Sequence, residues 1–306
     1  MSTAVAQTAP AAVSLRLSQA EVLAGVRELP PLPAVVMDLI RSMRDESLGA
    51  EQLGARIGRD QALAARTLRL ANSPFYGVPR KVTCVAEATT LLGLRTVRSL
   101  ALGAGVAGSF STPACAGFDF AAFWRHSIGA ALCAASLARA LRQDEGLAFT
   151  VGLLHDIGCL ALASGFGEAY AGVLRHQQAH DCPVQEAERA VLGTDHAAVG
   201  ALLAEHWRFA PAVVEAIAAH HAPPAADPAT LPTQSTQTTA TARMADIAHV
   251  ADSMAHALDL SGLEDDVVPP LSMPAWCRLA LDEQRCLEVM ARAQSQHATV
   301  CAAILS

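Results

Sequence analysis

The segment GLAFTVGLLHDIGCLALAS, residues 146–164, is apolar on nearly every side, yet it carries the adjacent polar pair His155 and Asp156. A helix that is apolar all round is expected in the interior of a protein rather than on its surface. A charged aspartate is almost never fully buried without a partner. The segment therefore predicts a buried polar centre and suggests that a cation lies nearby.

The rest of the chain favours helix as well. Hydrophobic residues make up 52% of the 306 residues and aromatic residues only 4%, while alanine and leucine, which have a low cost in a helix, are abundant. Apolar positions recur three and four apart, as around Leu63, Leu68 and Leu70, and no segment alternates convincingly with period two. We therefore predict an all-α fold, a multi-helix bundle with an N-terminal helical subdomain.

Composition changes along the chain divide it into parts. Residues 222–241 are rich in Pro, Thr, Ala and Gln and almost uncharged, which predicts a flexible loop. A first helix is expected over Leu17–Val26 with Ser18 as its cap. The expected parts are a disordered lead (1–15), an N-terminal helical half (16–108), a second helical half containing the flexible loop (109–262) and a C-terminal helical extension (263–306).

Charge and composition exclude several classes of protein. The net charge is −7, and the small basic patch of Arg66, Arg69, Arg80 and Lys81 is interpreted as a solvated surface, so no nucleic-acid partner is expected. The N-terminus lacks the pattern of a signal peptide, and no stretch approaches 18 uninterrupted apolar residues, so no membrane association is expected. The 8 cysteines form no CxxC motif and are interpreted as reduced thiols of a cytoplasmic protein.

Histidine and aspartate residues on several predicted helices are candidate metal ligands. Side chains from separate helices of a bundle can converge on one point, so long sequence separations are no objection. Imidazole and carboxylate ligands suit zinc, iron or manganese, and a divalent metal is the expected cofactor. The candidate ligands are His126, His155, Asp156, His196, His220, His221 and Asp252.

Other roles stay open for these residues. Taken alone, His126 also fits a core histidine bonded to a backbone carbonyl, and histidines at a helix end, such as His220 and His221, complement the helix dipole. His249 and His256 share a helix face with Asp252, and either of them could support the site or be exposed.

The sequence resembles the HDOD domain over roughly residues 29–258. In the first half, the resemblance is carried by LPPLPAVVMDLI, by RDQALAARTLRLANSPFYG with its Ala71-Asn72-Ser73 triplet, and by AEATTLLGLRTVRSLAL. In the second half it is carried by FWRHS, GLLHDIG, DHAAVGALLAEHW, AIAAHH and HVADSM.

HDOD domains are relatives of the HD phosphohydrolase superfamily, and more distantly of the HD-GYP phosphodiesterases. The resemblance implies a first metal position at His126, His155, Asp156 and Asp252. It implies a second metal position through His196, His220 and His221. Two departures count against catalysis: Cys159 stands where HD-GYP enzymes carry a lysine, and HAPPAADP replaces the GYP segment.

The resemblance implies a bacterial signal-transduction or regulatory protein that acts through a signalling protein partner and without catalytic turnover. One alternative is a metal-dependent phosphohydrolase or phosphodiesterase acting on a cyclic or linear nucleotide, with Asp156 bridging two metals. Another is a sensor built on a histidine-rich iron site. A cyclic dinucleotide is a weaker candidate for a binding partner.

Overall fold

The structure, a computed structural model, describes residues 16–29, 31–43, 45, 48–224, 236–264 and 266–305. For residues 236–243 it describes the backbone alone. The expected disordered lead (1–15) and residues 225–235 of the expected loop lie outside this part of the chain. Within it there are 16 α-helices and no β-strand, which confirms the all-α prediction.

The first six helices form the N-terminal half. Ser18 caps the first of them as predicted, and Glu21 completes the capping box by accepting a bond from the Ser18 backbone N–H. Asn72 follows α4 and fixes the turn that leads into α5. The helices are α1 (Gln19–Glu28), α2 (Ala34–Ser42), α3 (Ala50–Ile57), α4 (Gln61–Ala71), α5 (Val85–Leu92) and α6 (Leu94–Ala107).

The next eight helices form the HD half, named for His155 and Asp156. The sequence predicted this pair inside one apolar helix, but the chain forms two helices that meet at it, so that prediction was wrong. The helices are α7 (Phe120–Ala140), α8 (Glu145–Leu154), α9 (Ile157–Gly165), α10 (Gly167–His180), α11 (Val184–Leu192), α12 (His196–His206), α13 (Pro211–Ala219) and α14 (Thr236–Ala257).

The last two helices are α15 (Met273–Leu279) and α16 (Glu283–Leu305). The latter agrees with the predicted C-terminal helix, and it packs against both α7 and α4, so it joins the two halves. The loop predicted over residues 222–241 extended too far toward the C-terminus, because α14 already begins at Thr236. Its Thr- and Ala-rich start resembled a linker by composition but continues the helix that carries Asp252.

Buried apolar side chains from both halves form one continuous core, which includes Leu39 and Leu100 of the N-terminal half and Leu132 and Leu160 of the HD half. By length and composition, the α8–α9 stretch Glu145–Gly165 could cross a membrane, but 89% of its most apolar window is buried inside the fold. Its apolar character is that of a core segment.

Candidate metal centre

His155 and Asp156 lie at the junction of α8 and α9, where the chain changes direction. His155 keeps a helical backbone conformation, whereas Asp156 has φ −97° and ψ 10°. The Nδ1 atom of His155 lies 2.7 Å from the carbonyl oxygen of Gly152. Because a carbonyl only accepts, Nδ1 is the donor, and the other ring nitrogen, Nε2, is turned toward the neighbouring helices.

Two glycines flank the pair and let other helices approach it. A Cβ atom on Gly152 would lie 2.8 Å from the backbone of α7, at the carbonyl oxygen of Ala130. A Cβ atom on Gly158 would lie only 2.0 Å from the carbonyl oxygen of His196 on α12. Neither contact leaves room for a side chain, so the spacing of GLLHDIG brings α7 and α12 against the pair.

One group of ligand atoms forms around Asp252 on α14. Its Oδ1 atom lies 3.1 Å from Nε2 of His126 and 3.4 Å from Nε2 of His155. The Oδ2 atom of Asp156 lies 3.5 Å from Nε2 of His126 and 3.2 Å from Nε2 of His155. Two imidazoles and two carboxylates therefore surround one point, which we call the first position.

A second group forms on the other side of Asp156. Its Oδ1 atom lies 3.1 Å from Nε2 of His196 and 3.4 Å from Nε2 of His220. The Nε2 atom of His221 lies 2.7 Å from that of His196. We call the point that these three imidazoles and Asp156 surround the second position. The structure thus brings together all seven residues that the sequence singled out.

The donor set and its spacing fit divalent transition metals. Nitrogen and oxygen ligands bound about 2.0–2.2 Å from a metal lie about 3.0–3.5 Å from one another, as most of these atoms do. Moreover, Oδ1 of Asp252 is buried and makes no hydrogen bond within the described part of the chain. The Nε2 atoms of His126, His155 and His256 lie 3.1–3.4 Å from that oxygen without hydrogen-bond geometry. This arrangement indicates that the three nitrogens and the oxygen face one shared point.

Hydrogen bonds from the Nδ1 atoms, which face away from the cluster, orient the imidazole rings of His220 and His196. Nδ1 of His220 lies 2.7 Å from the carbonyl oxygen of Ile217. Nδ1 of His196 lies 2.6 Å from Oε2 of Glu188, which also accepts from the His196 backbone N–H at 2.8 Å. Metal-bound histidines in proteins usually donate their other N–H to a carbonyl or carboxylate in this way. The Nε2 atoms are thereby aimed into the cluster.

Glu188 is fully buried, and the sequence did not single it out as a site residue. Besides orienting His196, its Oε1 atom accepts a bond from the Tyr170 hydroxyl at 3.0 Å and lies 3.8 Å from Sγ of Cys159. A signal was present, since Glu188 stands four residues before the buried Leu192, on the inward face of α11. Cys159 thus points to Glu188 and Tyr170, and burial raises the pKa of its thiol to about 12.

His249 and His256 have different roles, and neither is exposed. His249 connects the backbone of α13 to the start of α15: its Nδ1 lies 2.7 Å from the carbonyl oxygen of His220, and its Nε2 accepts from the Ser272 N–H at 2.8 Å. His256 faces the first position, with Nε2 3.3 Å from Oδ1 of Asp252. Its Nδ1 lies 2.6 Å from Oδ1 of Asp266, a carboxylate that sequence reasoning did not single out.

The charges of the cluster are strongly coupled. Burial lowers the pKa of His155, but Asp156 and Asp252 outweigh burial and raise that pKa to about 10. Burial would raise the pKa of Asp156, yet His155 and His196 hold it well below its usual value. Burial lowers the pKa of both His220 and His221, which favours the neutral, ligand-ready ring. The carboxylates therefore require nearby positive charge, which protons or a metal cation can supply.

Comparison with known proteins identifies the family of the chain. A family model of the HDOD domain matches residues 29–223, which include six of the seven candidate ligands and end before Asp252. A protein of Treponema pallidum (strain Nichols) is 25% identical over 213 residues, or 69% of this chain and 41% of that protein. The chain thus spans less than half the length of that relative.

Solved structures share the fold. A proposed phosphohydrolase from Shewanella amazonensis SB2B is 28% identical, with a TM-score of 0.72 over 93% of this chain and 98% of that one. An HDOD domain protein of unknown function from Geobacter sulfurreducens is 24% identical, with a TM-score of 0.71 over 94% of this chain and 98% of that one. Since the family model covers most of the chain and the fold agrees, this protein belongs to the HDOD domain family.

Proposed function

We propose that this HDOD protein is a signal-regulation module whose histidine and aspartate cluster binds two divalent transition-metal ions, and which acts through a protein partner rather than by turnover. One observation carries the metal binding: the two carboxylate oxygens of Asp156 face two separate groups of imidazoles, at 3.2–3.5 Å and at 3.1–3.4 Å. A carboxylate shared in this way is suited to bridge two cations.

The ligand chemistry limits which metals suit the two positions. His126 and His155 with two carboxylates would hold an ion at the first position, and His196, His220 and His221 with Asp156 would hold one at the second. Sites rich in imidazole suit zinc and iron, and carboxylates also suit manganese. When bound, such ions supply concentrated positive charge and Lewis acidity at the edge of the cluster.

Cys159, beside the cluster, favours a regulatory role over catalysis. HD-GYP enzymes place a lysine where this chain has Cys159, and a fixed cation there would stabilise charge on a phosphate. Burial raises the pKa of the Cys159 thiol to about 12, so it is neutral, and its sulfur lies 3.8 Å from Oε1 of Glu188. The position therefore supplies no charge to a phosphoryl group.

A second candidate function is metal-dependent hydrolysis of a phosphate ester in a nucleotide. Its support is the exposure of the Asp156 side chain, 17%, which opens the bridging residue to solvent. The Shewanella structure at 28% identity, described as a proposed phosphohydrolase, also favours it. In that case Asp156 would hold the cations that lower the pKa of a shared water.

Metal analysis of the purified full chain tests the proposal. We expect two equivalents of metal per chain in the wild type and a fall in affinity of at least about 100-fold in Asp156→Asn, because even loss of a residue that only orients a ligand costs about 10- to 100-fold. Asp181→Asn is the matched control, since Asp181 is exposed in a left-handed conformation that asparagine tolerates.

Two outcomes would count against this proposal. Wild-type protein that takes up no iron, zinc or manganese would overturn metal binding. Metal-loaded protein that hydrolyses cyclic di-GMP with many turnovers, and loses this activity in Asp156→Asn, would establish the second candidate in place of the regulatory one.

A further inference from the structure

We propose that His256 is an additional ligand of the metal at the first position, held in place by Asp266, so that this ion has five protein ligands. The inference rests on the metal binding proposed above and concerns a residue outside the seven candidate ligands. Three features of the structure support it.

The first feature is convergence. Nε2 of His256 lies 3.3 Å from Oδ1 of Asp252, which is between the 3.1 Å of His126 and the 3.4 Å of His155 to the same oxygen. The rings of His256 and His126 also pack together, with centroids 4.3 Å apart. His256 therefore approaches Asp252 as closely as the two histidines implied by the resemblance do.

The second feature is orientation. Nδ1 of His256 lies 2.6 Å from Oδ1 of Asp266, and Oδ2 of Asp266 accepts from the Ser261 hydroxyl at 2.6 Å. The Ser261 carbonyl in turn accepts from Nε of Arg125 at 2.7 Å, next to His126 on α7. A carboxylate behind an imidazole fixes which nitrogen is free to bind metal. His196 is held by Glu188 in the same way at the second position.

The third feature is the number of ligands. The Nε2 atoms of His126, His155 and His256 lie 3.1–3.4 Å from Oδ1 of Asp252, and those of His126 and His155 also lie 3.2–3.5 Å from Oδ2 of Asp156. With His256, the first position would therefore take three imidazole nitrogens and two carboxylate oxygens. Metal sites whose coordination is filled by protein serve structural roles, whereas catalytic sites keep positions open for water or substrate. An ion with five protein ligands would leave at most one position open in an octahedron, which fits a regulatory centre better than a hydrolytic one.

A different arrangement would explain the same contacts without metal. His256 would then be an imidazolium paired with Asp252 and Asp266, and its loss would leave the metal sites nearly unchanged. Titration with Co²⁺ separates the two, because visible absorption reports the number and kind of ligands at each bound ion.

The experiment compares full-length wild type, His256→Gln, Asp266→Asn and the control His206→Gln, whose side chain is exposed on α12. We expect two Co²⁺ equivalents in the wild type and in the control. In His256→Gln, one equivalent should bind about 10- to 100-fold more weakly with an altered visible spectrum, and in Asp266→Asn about 10-fold more weakly. NMR of the Co²⁺ form should show one fewer paramagnetically shifted imidazole N–H signal in His256→Gln.

The outcomes are separable. Two equivalents of unchanged affinity and spectrum in His256→Gln, with the full set of shifted N–H signals, would overturn the role of His256 and leave the proposed metal binding intact. Wild-type protein that binds no Co²⁺ would overturn both. Asp266→Asn retains His256, so it still tests the inference if His256→Gln does not fold.

Discussion

The two halves of the molecule bury polar groups in different ways. In the N-terminal half, buried or half-buried polar side chains bond mainly to nearby backbone: the Thr67 hydroxyl donates to the Leu63 carbonyl at 2.7 Å, and the Arg98 guanidinium donates to the Ser42 carbonyl. In the HD half, imidazoles and carboxylates from α7, α12, α14 and the end of α13 face one another around Asp156 and Asp252.

The difference teaches what each half contributes. Backbone partners are supplied by the fold itself, so polar groups of the N-terminal half stabilise turns and helix contacts. A convergent group of ionisable side chains is costly to bury unless a counter-charge compensates it. We therefore expect substitutions in the N-terminal half to change stability alone, and substitutions at the helix contacts of the HD half to change stability and metal binding together.

The largest effect is expected for Gly158→Ala. The new Cβ atom would lie 2.0 Å from the His196 carbonyl oxygen and 2.7 Å from the Gly200 nitrogen, both backbone atoms of α12 that cannot rotate away. We expect a loss of about 3 kcal/mol in the free energy of unfolding, because overpacking forces the backbones apart. Separation of α9 from α12 would also carry His196 away from Asp156, so the amount of metal bound at the second position should decrease. Urea unfolding and metal analysis measure the two effects.

Gly172→Ala is the matched control. Gly172 lies in the interior of α10, and the nearest side-chain atoms to its new Cβ atom would be 3.8 Å away. Alanine in the interior of a helix is favoured over glycine by about 0.5–1 kcal/mol, so this variant should be slightly more stable. Equal stability of Gly158→Ala and wild type would show that α9 and α12 do not touch as described.

A smaller effect, confined to stability, is expected for Asn72→Ala in the N-terminal half. The Asn72 amide nitrogen donates to the carbonyls of Leu68 and Val82 at 2.8 and 2.9 Å, and its oxygen accepts from the Val82 N–H at 2.7 Å. Three bonds of about 0.5–1.5 kcal/mol each give an expected loss of about 2 kcal/mol by urea unfolding. Asn72→Asp would set a second acceptor oxygen against the Leu68 and Val82 carbonyls, so its stability should be at least as low as that of Asn72→Ala.

Metal content should stay at the wild-type value in both Asn72 variants, since this turn lies in the other half of the molecule. A folded Asn72→Ala protein that has lost its metal would break the division of roles between the halves.

Much of the candidate site was readable from the sequence because its chemistry is concentrated in short motifs. His155 and Asp156 stand out as charge inside an apolar run, and the double histidine His220-His221 directly follows α13, close to the predicted helix end. The cap at Ser18 was readable because capping is a local rule. In each case the signal lies within a few residues of the feature that it specifies.

Other features depend on distant contacts. The break between α8 and α9 lies next to Gly158, where α12 approaches closely, and no local pattern shows that contact. Glu188 resembled a solvated helix residue, because its role depends on Tyr170 and His196 folding against it. Asp266 acts on His256 from a loop, where hydrophobic periodicity gives no information. Residues that orient ligands are therefore harder to predict than the ligands.

The smallest effect concerns pH and the start of α12. Asp195 caps this helix by accepting from the Ala198 N–H at 2.9 Å, and it pairs with Arg189 at 2.6 Å. Burial would raise its pKa, but these two contacts outweigh burial and lower the pKa below its ordinary 3.8. The ionised form is the one that stabilises the fold, so this contribution is present above pH 3.8 and is lost as the pH falls through the lower, folded value.

Asp195→Asn keeps a capping oxygen but loses the pair with Arg189, and such pairs contribute about 0.2–1 kcal/mol. Urea unfolding should therefore show the wild type more stable by that amount at pH 7. The difference should decrease as the pH falls below 3.8 and should vanish below the pKa of Asp195 in the folded protein. Asp60→Asn is the counterpart in the N-terminal half, where Asp60 caps α4 through the Leu63 N–H, and asparagine caps nearly as well. A difference between wild type and Asp195→Asn that persists in acid would mean that capping, and not charge, secures the helix carrying His196.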